Sequence, residues 1–316
     1  MKSGFCAIFG RPNVGKSTLL NALVGAKLAI VSSKPQTTRD AIQGVLTRPE
    51  GQIVFVDSPG LLEPKLELGK RMQREIDRAV EGCHLLLLVV DAAAPLRPGD
   101  RRAIEAAGRA RVPVLLALNK IDLVRRKDEL LPQIEEYGRL HEFAAIVPVS
   151  AAQGDGLDRL VRLIFEQLPE SPAFYPEDFI TDQPERFLAS ELIREAVLEL
   201  TEQEVPHATT VGIEIWEEKP ALLRIAATIY VEREGQKAIV IGARGSKLKQ
   251  IGIRARQSLE GRFDVKVFLE LFVKVKPKWR DRAGFMRTLD RRRYGLDATG
   301  IAAEEDDGPA LIEEEG

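Results

Sequence analysis

The stretch GRPNVGKS, from Gly10 to Ser17, constrains the fold of this chain more than any other part of the sequence. It follows the apolar run FCAIF and opens the helical pattern TLLNALVG. A glycine-rich turn at a helix N-terminus directs backbone N–H groups at an anion, and a lysine and a serine in this spacing reach phosphate oxygens and Mg²⁺. A plain strand-to-helix turn does not account for the lysine. The pattern predicts a phosphate loop whose nucleotide contacts are Gly10, Asn13, Val14, Gly15, Lys16, Ser17 and Thr18.

Short apolar runs alternate with amphipathic helical patterns as far as residue 168. The runs include QIVFVD, HLLLLVVDA, VPVLLALN and AAIVPVSA. Nearly continuous apolar strands are typical of a mainly parallel sheet with helices on both faces, so we expect an α/β domain over residues 1–168. The turn PEG at 49–51 predicts one antiparallel hairpin within it.

The pattern changes after residue 168. Prolines at 169, 172, 176 and 184 disfavour a helix interior or a central strand, so residues 169–186 are predicted to form a linker. A helix from Ser190 to Thr201, two alternating strands, a glycine-punctuated helix pair and a final strand then predict a smaller α+β domain over 187–296. Residues 297–316 are predicted to be a disordered acidic tail, because AAEEDDGPALIEEEG has seven acidic residues and no basic one.

The composition argues against two classes of protein. The most apolar stretch, LLLLVV, is far shorter than the roughly 20 residues of a membrane span, and no signal peptide opens the chain, so we expect a cytoplasmic protein. The two cysteines, Cys6 and Cys83, lie inside apolar runs and are predicted to be buried rather than joined in a disulfide. No surplus apolar repeat calls for a partner chain, which favours a monomer.

Two further segments fit a nucleotide switch. Asp57 and Gly60 have D-x-x-G spacing after the run IVFV, where the carboxylate would hold Mg²⁺ and the glycine N–H would meet the γ-phosphate. Upstream, QTTRD lies where a loop closes over the metal. Thr38 is the preferred source of the hydroxyl, and Thr37 stays possible because sequence alone does not separate adjacent threonines.

The stretch NKID, from Asn119 to Asp122, follows the strand VPVLLAL and predicts the base specificity. Guanine offers N1–H and a 2-amino group to the Asp122 carboxylate, whereas adenine offers neither, so the site should select GTP and GDP over ATP. Asn119 and the stem of Lys120 would support the purine. Backbone N–H groups of Ser150, Ala151 and Ala152 would reach the guanine O6, at the carboxyl ends of the strands where α/β sheets bind ligands.

The second domain carries the stretch VIGARGSKLKQIG, with Gly242 and Gly245 in a GXXG turn between helices. A GXXG turn alone is weak evidence, but the α-β-β-α-α-β order and the basic neighbours fit a type II KH domain that binds RNA. Between residues 237 and 293 there are 17 Lys and Arg against 5 Asp and Glu, which favours a polyanionic partner over a merely solvated helix face. The RNA-binding residues are predicted to be Gly242, Ala243, Arg244, Gly245, Lys247 and Lys249.

Aromatic residues recur among arginines near the end of the basic segment. Trp279, Phe285 and Tyr294 lie in KPKWRDRAGFMRTLDRRRYGL, a combination that stacks bases and neutralises phosphates. The alternative, equally favoured by the sequence, is that these aromatic residues pack this segment onto the domain.

The two domains together resemble the Era family of bacterial GTPases from about residue 4 to residue 296. The resemblance rests on the nucleotide motifs, QTTRD, the linker YPEDFITDQPERF, EVPHATTV and VIGARGSKLKQIG. It implies a GTPase that binds the 3′ end of small-subunit (16S) ribosomal RNA during 30S subunit biogenesis, with peripheral association at the inner face of the membrane in some members. The acidic tail departs from the compact ending expected in the family.

The family resemblance also bears on catalysis. Leu61, which follows Gly60, has no group to orient water, and the resemblance implies that a K⁺ ion beside the phosphates, held by Asn13, offsets charge instead. Leu61 would then be retracted. Catalytic contributions are expected from Lys16, Thr38, Gly60 and Asn13, with Mg²⁺ held by Ser17, Thr38 and Asp57.

Three other functions remain possible from the sequence. The first is a GTPase acting on a membrane or protein target, with the KH domain as an adaptor. The second is an RNA-binding protein that keeps GTP as a structural ligand without appreciable turnover. An ATPase is the third, and NKID argues against it.

Overall fold

A computed structural model describes residues 1–32, 34, 37–60 and 66–289 of the chain. Leu61, Gln36, Tyr294 and the tail 297–316 therefore lie outside the described residues. Of the described helices, none is both long and apolar enough to cross a bilayer.

The described residues of the first half of the chain form a six-stranded sheet flanked by five helices. Neighbouring strands follow the order β2-β3-β1-β4-β5-β6, and every pairing is parallel except that of β2 with β3. The strands are β1 (Lys2–Phe9), β2 (Ile42–Arg48), β3 (Gly51–Asp57), β4 (Leu85–Asp91), β5 (Val114–Asn119) and β6 (Ala145–Pro148). The helices are α1 (Lys16–Val24), α2 (Glu67–Glu81), α3 (Pro98–Ala107), α4 (Leu130–Leu140) and α5 (Leu157–Gln167).

Strand β4 shows why the apolar runs are continuous. Leu85, Leu87 and Val89 pack into the core that α1 and α5 cover. The alternate residues of the strand pack into a second core under α2, α3 and α4. Both faces of the strand are buried from Leu85 to Val90, so all six of these positions are apolar. The predicted α/β domain with helices on both faces is confirmed, as is the hairpin, in which Arg48 pairs with Gly51. Cys6 and Cys83 are free and buried, as predicted.

The second half builds a three-stranded sheet in the order β7-β8-β9, antiparallel between β7 and β8 and parallel between β8 and β9. Its elements are α6 (Glu185–Leu200), β7 (Thr210–Lys219), β8 (Leu222–Val231), α7 (Glu234–Ile241), α8 (Ser246–Phe263) and β9 (Lys266–Val275). Helices α6 and α8 bury one face of the sheet. The predicted α-β-β-α-α-β order of a KH domain is confirmed, and a short helix α9 (Ala283–Thr288) follows it.

Helix α6 begins five residues earlier than the sequence predicts. Pro184 occupies its N-cap position, so the helix includes the last two residues of the predicted linker. A proline just before a helix blocks no intrahelical hydrogen bond, because the first N–H groups of a helix have no partner within it.

The proline-rich segment is attached to the first sheet along the edge strand β2. Val45 N donates to Ile180 O at 2.8 Å, and Thr181 Oγ1 donates to Gln43 O at 2.6 Å. Gln52 in β3 adds to this attachment, because its side-chain oxygen accepts from Phe174 N at 2.8 Å. These bonds cover an edge that would otherwise expose unpaired backbone groups.

Candidate nucleotide site and RNA-binding surface

The loop between β1 and α1 borders a cavity of about 430 Å³, which is also lined by Thr38, Gly60 and Lys120. Two glycines shape this loop. Gly10 has φ +148°, and a Cβ there would lie 2.4 Å from Val89 O. Gly15 has φ +97°, and a Cβ there would lie 2.4 Å from Asn119 Nδ2. Only glycine fits both the backbone conformation and the space, so the backbone can approach phosphates closely.

Lys16 lies buried at the base of this loop. Its Nζ donates to Gly10 O at 3.2 Å and to Arg11 O at 3.1 Å. Burial lowers the pKa of Lys16 to about 8, an effect that Asp57 opposes and Arg11 reinforces. An anion bound in the loop would stabilise the ammonium form, which is the electrostatic requirement of a phosphate site.

Three side-chain oxygens meet where the first turn of α1 faces the end of β3. Ser17 Oγ donates to Asp57 Oδ2 at 2.7 Å and lies 2.8 Å from Thr38 Oγ1. Asp57 Oδ1 is buried and has no hydrogen-bond partner among the described residues. Burial raises the pKa of Asp57 to about 6, against the lowering effects of Lys16 and of hydrogen bonds with Ser17 and Thr38. Hard oxygen donors beside an unpaired carboxylate oxygen fit Mg²⁺.

The two adjacent threonines of QTTRD have different neighbours. Thr37 Oγ1 donates to Lys34 O at 2.6 Å, away from Asp57. Thr38 Oγ1 lies beside Ser17. The geometry therefore brings Thr38, rather than Thr37, to the oxygen cluster.

Gly60 lies against the phosphate loop. A Cβ at this position would be 2.9 Å from Pro12 N, closer than real Cβ atoms approach. The glycine lets the chain after β3 pass beside the phosphate loop, where its N–H can reach a terminal phosphate.

Asn119, at the end of β5, connects two loops. Its Nδ2 donates to Val14 O at 2.9 Å, and its Oδ1 accepts from Ala151 N at 3.0 Å. The side chain therefore holds the phosphate loop and the loop after β6 at a fixed separation. The sequence predicted that Asn119 would support the purine. The structure shows that its side chain bridges two loops that border the site.

Lys120 extends along the outside of the phosphate loop. Its Nζ donates to Asn13 O at 2.8 Å and to Asp91 Oδ2 at 2.7 Å. Asn13 and Lys120 both have left-handed backbones, with φ of 65° and 66°. The stem of Lys120 lines the cavity together with Asn13.

The Asp122 carboxylate is oriented by Ser150, whose hydroxyl donates to Asp122 Oδ1 at 2.6 Å. The N–H of Ser150 donates to Asp155 O at 2.9 Å, and that of Ala151 is bound to Asn119. Within the described part of the chain, only Ala152 of these three has no partner for its N–H. The sequence did not separate the three groups, whereas the geometry distinguishes Ala152 from the other two.

Sequence reasoning missed an ionic network behind the phosphate loop. Arg11 Nε donates to Asp100 Oδ1 at 2.8 Å, and Asp91 lies 3.9 Å from the same guanidinium. Asp91 ends strand β4, at the same edge of the sheet as Asn119. Its place in LLLLVVD, a carboxylate after a buried strand, was the available signal.

The GXXG turn joins α7 to α8 in the second domain. Gly242 has φ 71°, Arg244 has φ 49° and Gly245 has φ 78°. A Cβ at Gly242 would lie 2.7 Å from Lys247 Cβ, whereas one at Gly245 would meet nothing within 4 Å. Gly242 is therefore required by packing, and Gly245 presents an open backbone surface.

A groove of about 410 Å³ runs from this turn between α8 and β9. Leu248, Gly252 and Ile253 give it an apolar floor, while Lys249 and Arg256 add positive charge. Ile253 is 43% exposed although it is apolar. An apolar floor with basic residues suits unstacked bases joined by a phosphate backbone. Of the predicted RNA-binding residues, Gly245 and Lys249 line the groove, and Ala243, Arg244 and Lys247 lie in or next to the turn.

Two aromatic residues of the C-terminal segment, Trp279 and Phe285, pack against the protein. Trp279 is buried, and its Nε1 donates to Ala208 O at 2.8 Å. The Phe285 ring lies edge-on to Tyr230, with centroids 5.0 Å apart. The stacking role considered for Trp279 is wrong, because the ring is enclosed by its own chain.

Comparisons with known proteins follow this division of the chain. A family described as 50S ribosome-binding GTPase matches residues 5–120, and the KH domain family matches residues 204–280. A crystal structure of Era in complex with MgGDPNP and nucleotides 1506–1542 of 16S ribosomal RNA is 42% identical, with a TM-score of 0.89 over 92% of this chain and 99% of that chain. A variant of Aquifex aeolicus Era bound to GDP·AlF₄⁻ is also 42% identical, with a TM-score of 0.87 and the same coverage.

Proposed function

This chain belongs to the Era family of GTPases with a C-terminal KH domain, and from that membership we propose that it binds the 3′ end of 16S ribosomal RNA through its KH domain. We further propose that it acts in 30S ribosomal subunit biogenesis, with hydrolysis of GTP to GDP and phosphate as its switch. The observation that carries the proposal is a nucleotide cavity and an open basic groove on two domains of one chain.

The nucleotide would be held from both ends. Lys16 and the phosphate-loop backbone take the phosphates, while Asp122 and the Ala152 N–H recognise guanine. Ser17, Thr38 and Asp57 are the residues that would hold Mg²⁺, a role supported by their mutual distances and by the unpaired Asp57 Oδ1. Bound Mg²⁺ would offset the charge of the β- and γ-phosphates during transfer to water.

A K⁺ ion beside the phosphates is a separate part of the proposal. Asn13 lines the nucleotide cavity next to Lys16, which supports its choice as a ligand. Because Leu61 lies outside the described residues, its predicted retraction stays a prediction.

The 30S subunit as target and peripheral membrane association are expectations from the family. A monomeric state, a cytoplasmic location and the domain boundaries at 168, 186 and 296 are expectations from the sequence.

Binding to a 3′-terminal 16S RNA oligomer tests the proposal. Fluorescence anisotropy of the full chain should give an affinity that falls with salt, since phosphate contacts release counterions. Gly245→Asp should weaken binding by at least about tenfold, because a carboxylate then occupies the surface that meets the RNA backbone.

Gly261→Asp is the control for the added charge in this experiment. It adds the same charge on the exposed end of α8, where a Cβ also meets nothing within 4 Å. The control should bind like the unaltered protein. Absence of binding in both the GTP-analogue and GDP states would contradict the RNA assignment and favour a membrane or protein target.

A further inference from the structure

The loop that carries Thr38 is attached to helix α6 of the KH domain at its beginning. Ile30 packs in the KH core beside Ile193. Glu195 is buried in α6, and its Oε1 accepts from Val31 N at 2.9 Å. Its other oxygen accepts from Lys27 Nζ at 2.5 Å. The entry of the loop is therefore fixed by the second domain.

The same helix holds the loop next to Thr38. Arg194 is 1% exposed, and its Nη2 donates to Thr37 O. Glu191, one turn earlier, orients the guanidinium by accepting from Arg194 Nε at 2.7 Å. A buried, paired cation on a backbone carbonyl is a strong constraint, because loss of this contact leaves one N–H of a buried guanidinium without an acceptor.

Arg39 fixes the other side of Thr38. Its Nη1 donates to Thr209 O at 2.8 Å, and its Nη2 donates to the carbonyls of Pro206 and His207 at 3.3 Å each. The guanidinium also lies over the Trp279 ring, 5.5 Å from its centroid. All of these partners lie in the KH half of the chain, so the residue after Thr38 is inserted into the second domain.

Thr38 is therefore held between two residues that the KH domain fixes, and its hydroxyl points to Ser17. We propose that Arg194 and Arg39 are positioning residues for the GTP site, through which the KH domain sets the place of the Mg²⁺-binding threonine. The inference rests on the role assigned to Thr38 under the proposed function. It makes the metal site of the first domain dependent on how the second domain is docked.

This dependence should differ between the two nucleotides. In GTPase switches, contacts from Mg²⁺ and the γ-phosphate order the loop that carries this threonine, and hydrolysis releases it. Misplacing Thr38 should therefore weaken Mg²⁺ in the triphosphate complex and leave the diphosphate complex unchanged. A general loss of stability would affect both complexes alike.

The test measures the Mg²⁺ concentration that half-saturates the full-length protein with a fluorescent non-hydrolysable GTP analogue, and repeats the titration with fluorescent GDP. In Arg39→Ala and Arg194→Lys, the value for the GTP analogue should rise about tenfold, as expected if the misplaced Thr38 hydroxyl loses its single contact with a charged group, the metal. The value for GDP should stay within about twofold. Arg254→Ala removes a partly exposed arginine that is paired with Glu199 of the same domain, and it should change neither value.

Thr38→Ala separates the role proposed for Thr38 from the positioning role proposed for Arg39 and Arg194. If it leaves the triphosphate titration unchanged, the role proposed for Thr38 fails. If it raises the value but neither arginine variant does, the positioning inference is overturned. An equal rise for both nucleotides in the arginine variants would also overturn it. Thermal melting monitors folding, and if Arg194→Lys does not fold, Arg39→Ala alone decides.

Discussion

The hydroxyl of Ser17 lies 2.7 Å from Asp57 Oδ2 and donates a hydrogen bond to it, so the first turn of α1 is joined to the end of β3. The two residues are 40 positions apart in the sequence. Their contact brings together the lysine-bearing loop and the D-x-x-G segment, and it leaves Asp57 Oδ1 buried without a partner.

The first prediction concerns pH. Burial raises the pKa of Asp57 to about 6, so the carboxylate is ionised at pH 7.5 and mostly protonated at pH 5.5. Mg²⁺ competes with that proton, and the Mg²⁺ concentration for half-saturation should rise about fourfold between these pH values. Free nucleotide also titrates, so protein-free nucleotide in the same buffers is the reference. A protein effect no larger than the reference would contradict the assignment.

The second prediction concerns base specificity. In Asp122→Asn the side chain loses one acceptor and gains a donor, which suits xanthine, with an oxygen at position 2, better than guanine. GTP affinity should fall more than about 100-fold, because a buried polar contact is left unpaired. XTP should bind more tightly than GTP in a competition assay. Ordinary GTP affinity in this variant would show that Asp122 does not contact the base.

The third prediction concerns stability. Asn119→Ala removes the donor to Val14 O and the acceptor for Ala151 N, both buried. The free energy of unfolding of the nucleotide-free protein should fall by about 2 kcal/mol, as expected for buried groups left unpaired. Urea unfolding measures this value. Gln153→Ala is a suitable control, because its exposed side chain makes no hydrogen bond among the described residues.

The fourth prediction concerns K⁺. GTP turnover should be faster in KCl than in matched NaCl, and Asn13→Ala should remove most of this difference while Mg²⁺ dependence remains. A cation at this position would offset charge that an arginine finger offsets in other GTPases. If K⁺ does not change the turnover rate and Asn13→Ala turns over GTP as fast as the unaltered protein, K⁺ has no role in catalysis.

The sequence predicted the sheet well because both faces of β4 and β5 are buried, which leaves an unbroken apolar signal. It also located the phosphate loop, D-x-x-G, NKID and SAA, since each follows a strand at the same edge of the sheet. It did not reveal the partners of Arg39, because Thr209 and Pro206 are 170 and 167 residues away in sequence and belong to another domain.

Other features that the sequence did not predict were missed for local reasons. Nothing in the letters SAA distinguishes the N–H of Ala152 from that of Ala151, because the difference lies in which loop Asn119 reaches. Trp279 among arginines resembles a stacking residue, and only the structure shows that the ring is buried and hydrogen-bonded to Ala208 O. The start of α6 was missed because prolines dominate the preceding segment, although Pro184 is compatible with a helix N-terminus.

The most direct test of the central claim is GTP turnover by the full chain in Mg²⁺ and KCl, with and without the 3′-terminal 16S RNA oligomer. The account predicts slow turnover that the RNA stimulates, and Gly245→Asp should remove the stimulation without changing the turnover measured in the absence of RNA. An absence of turnover in both conditions would contradict the GTPase assignment. Turnover that the bound RNA does not change would contradict the proposed coupling of the KH domain to the GTP site.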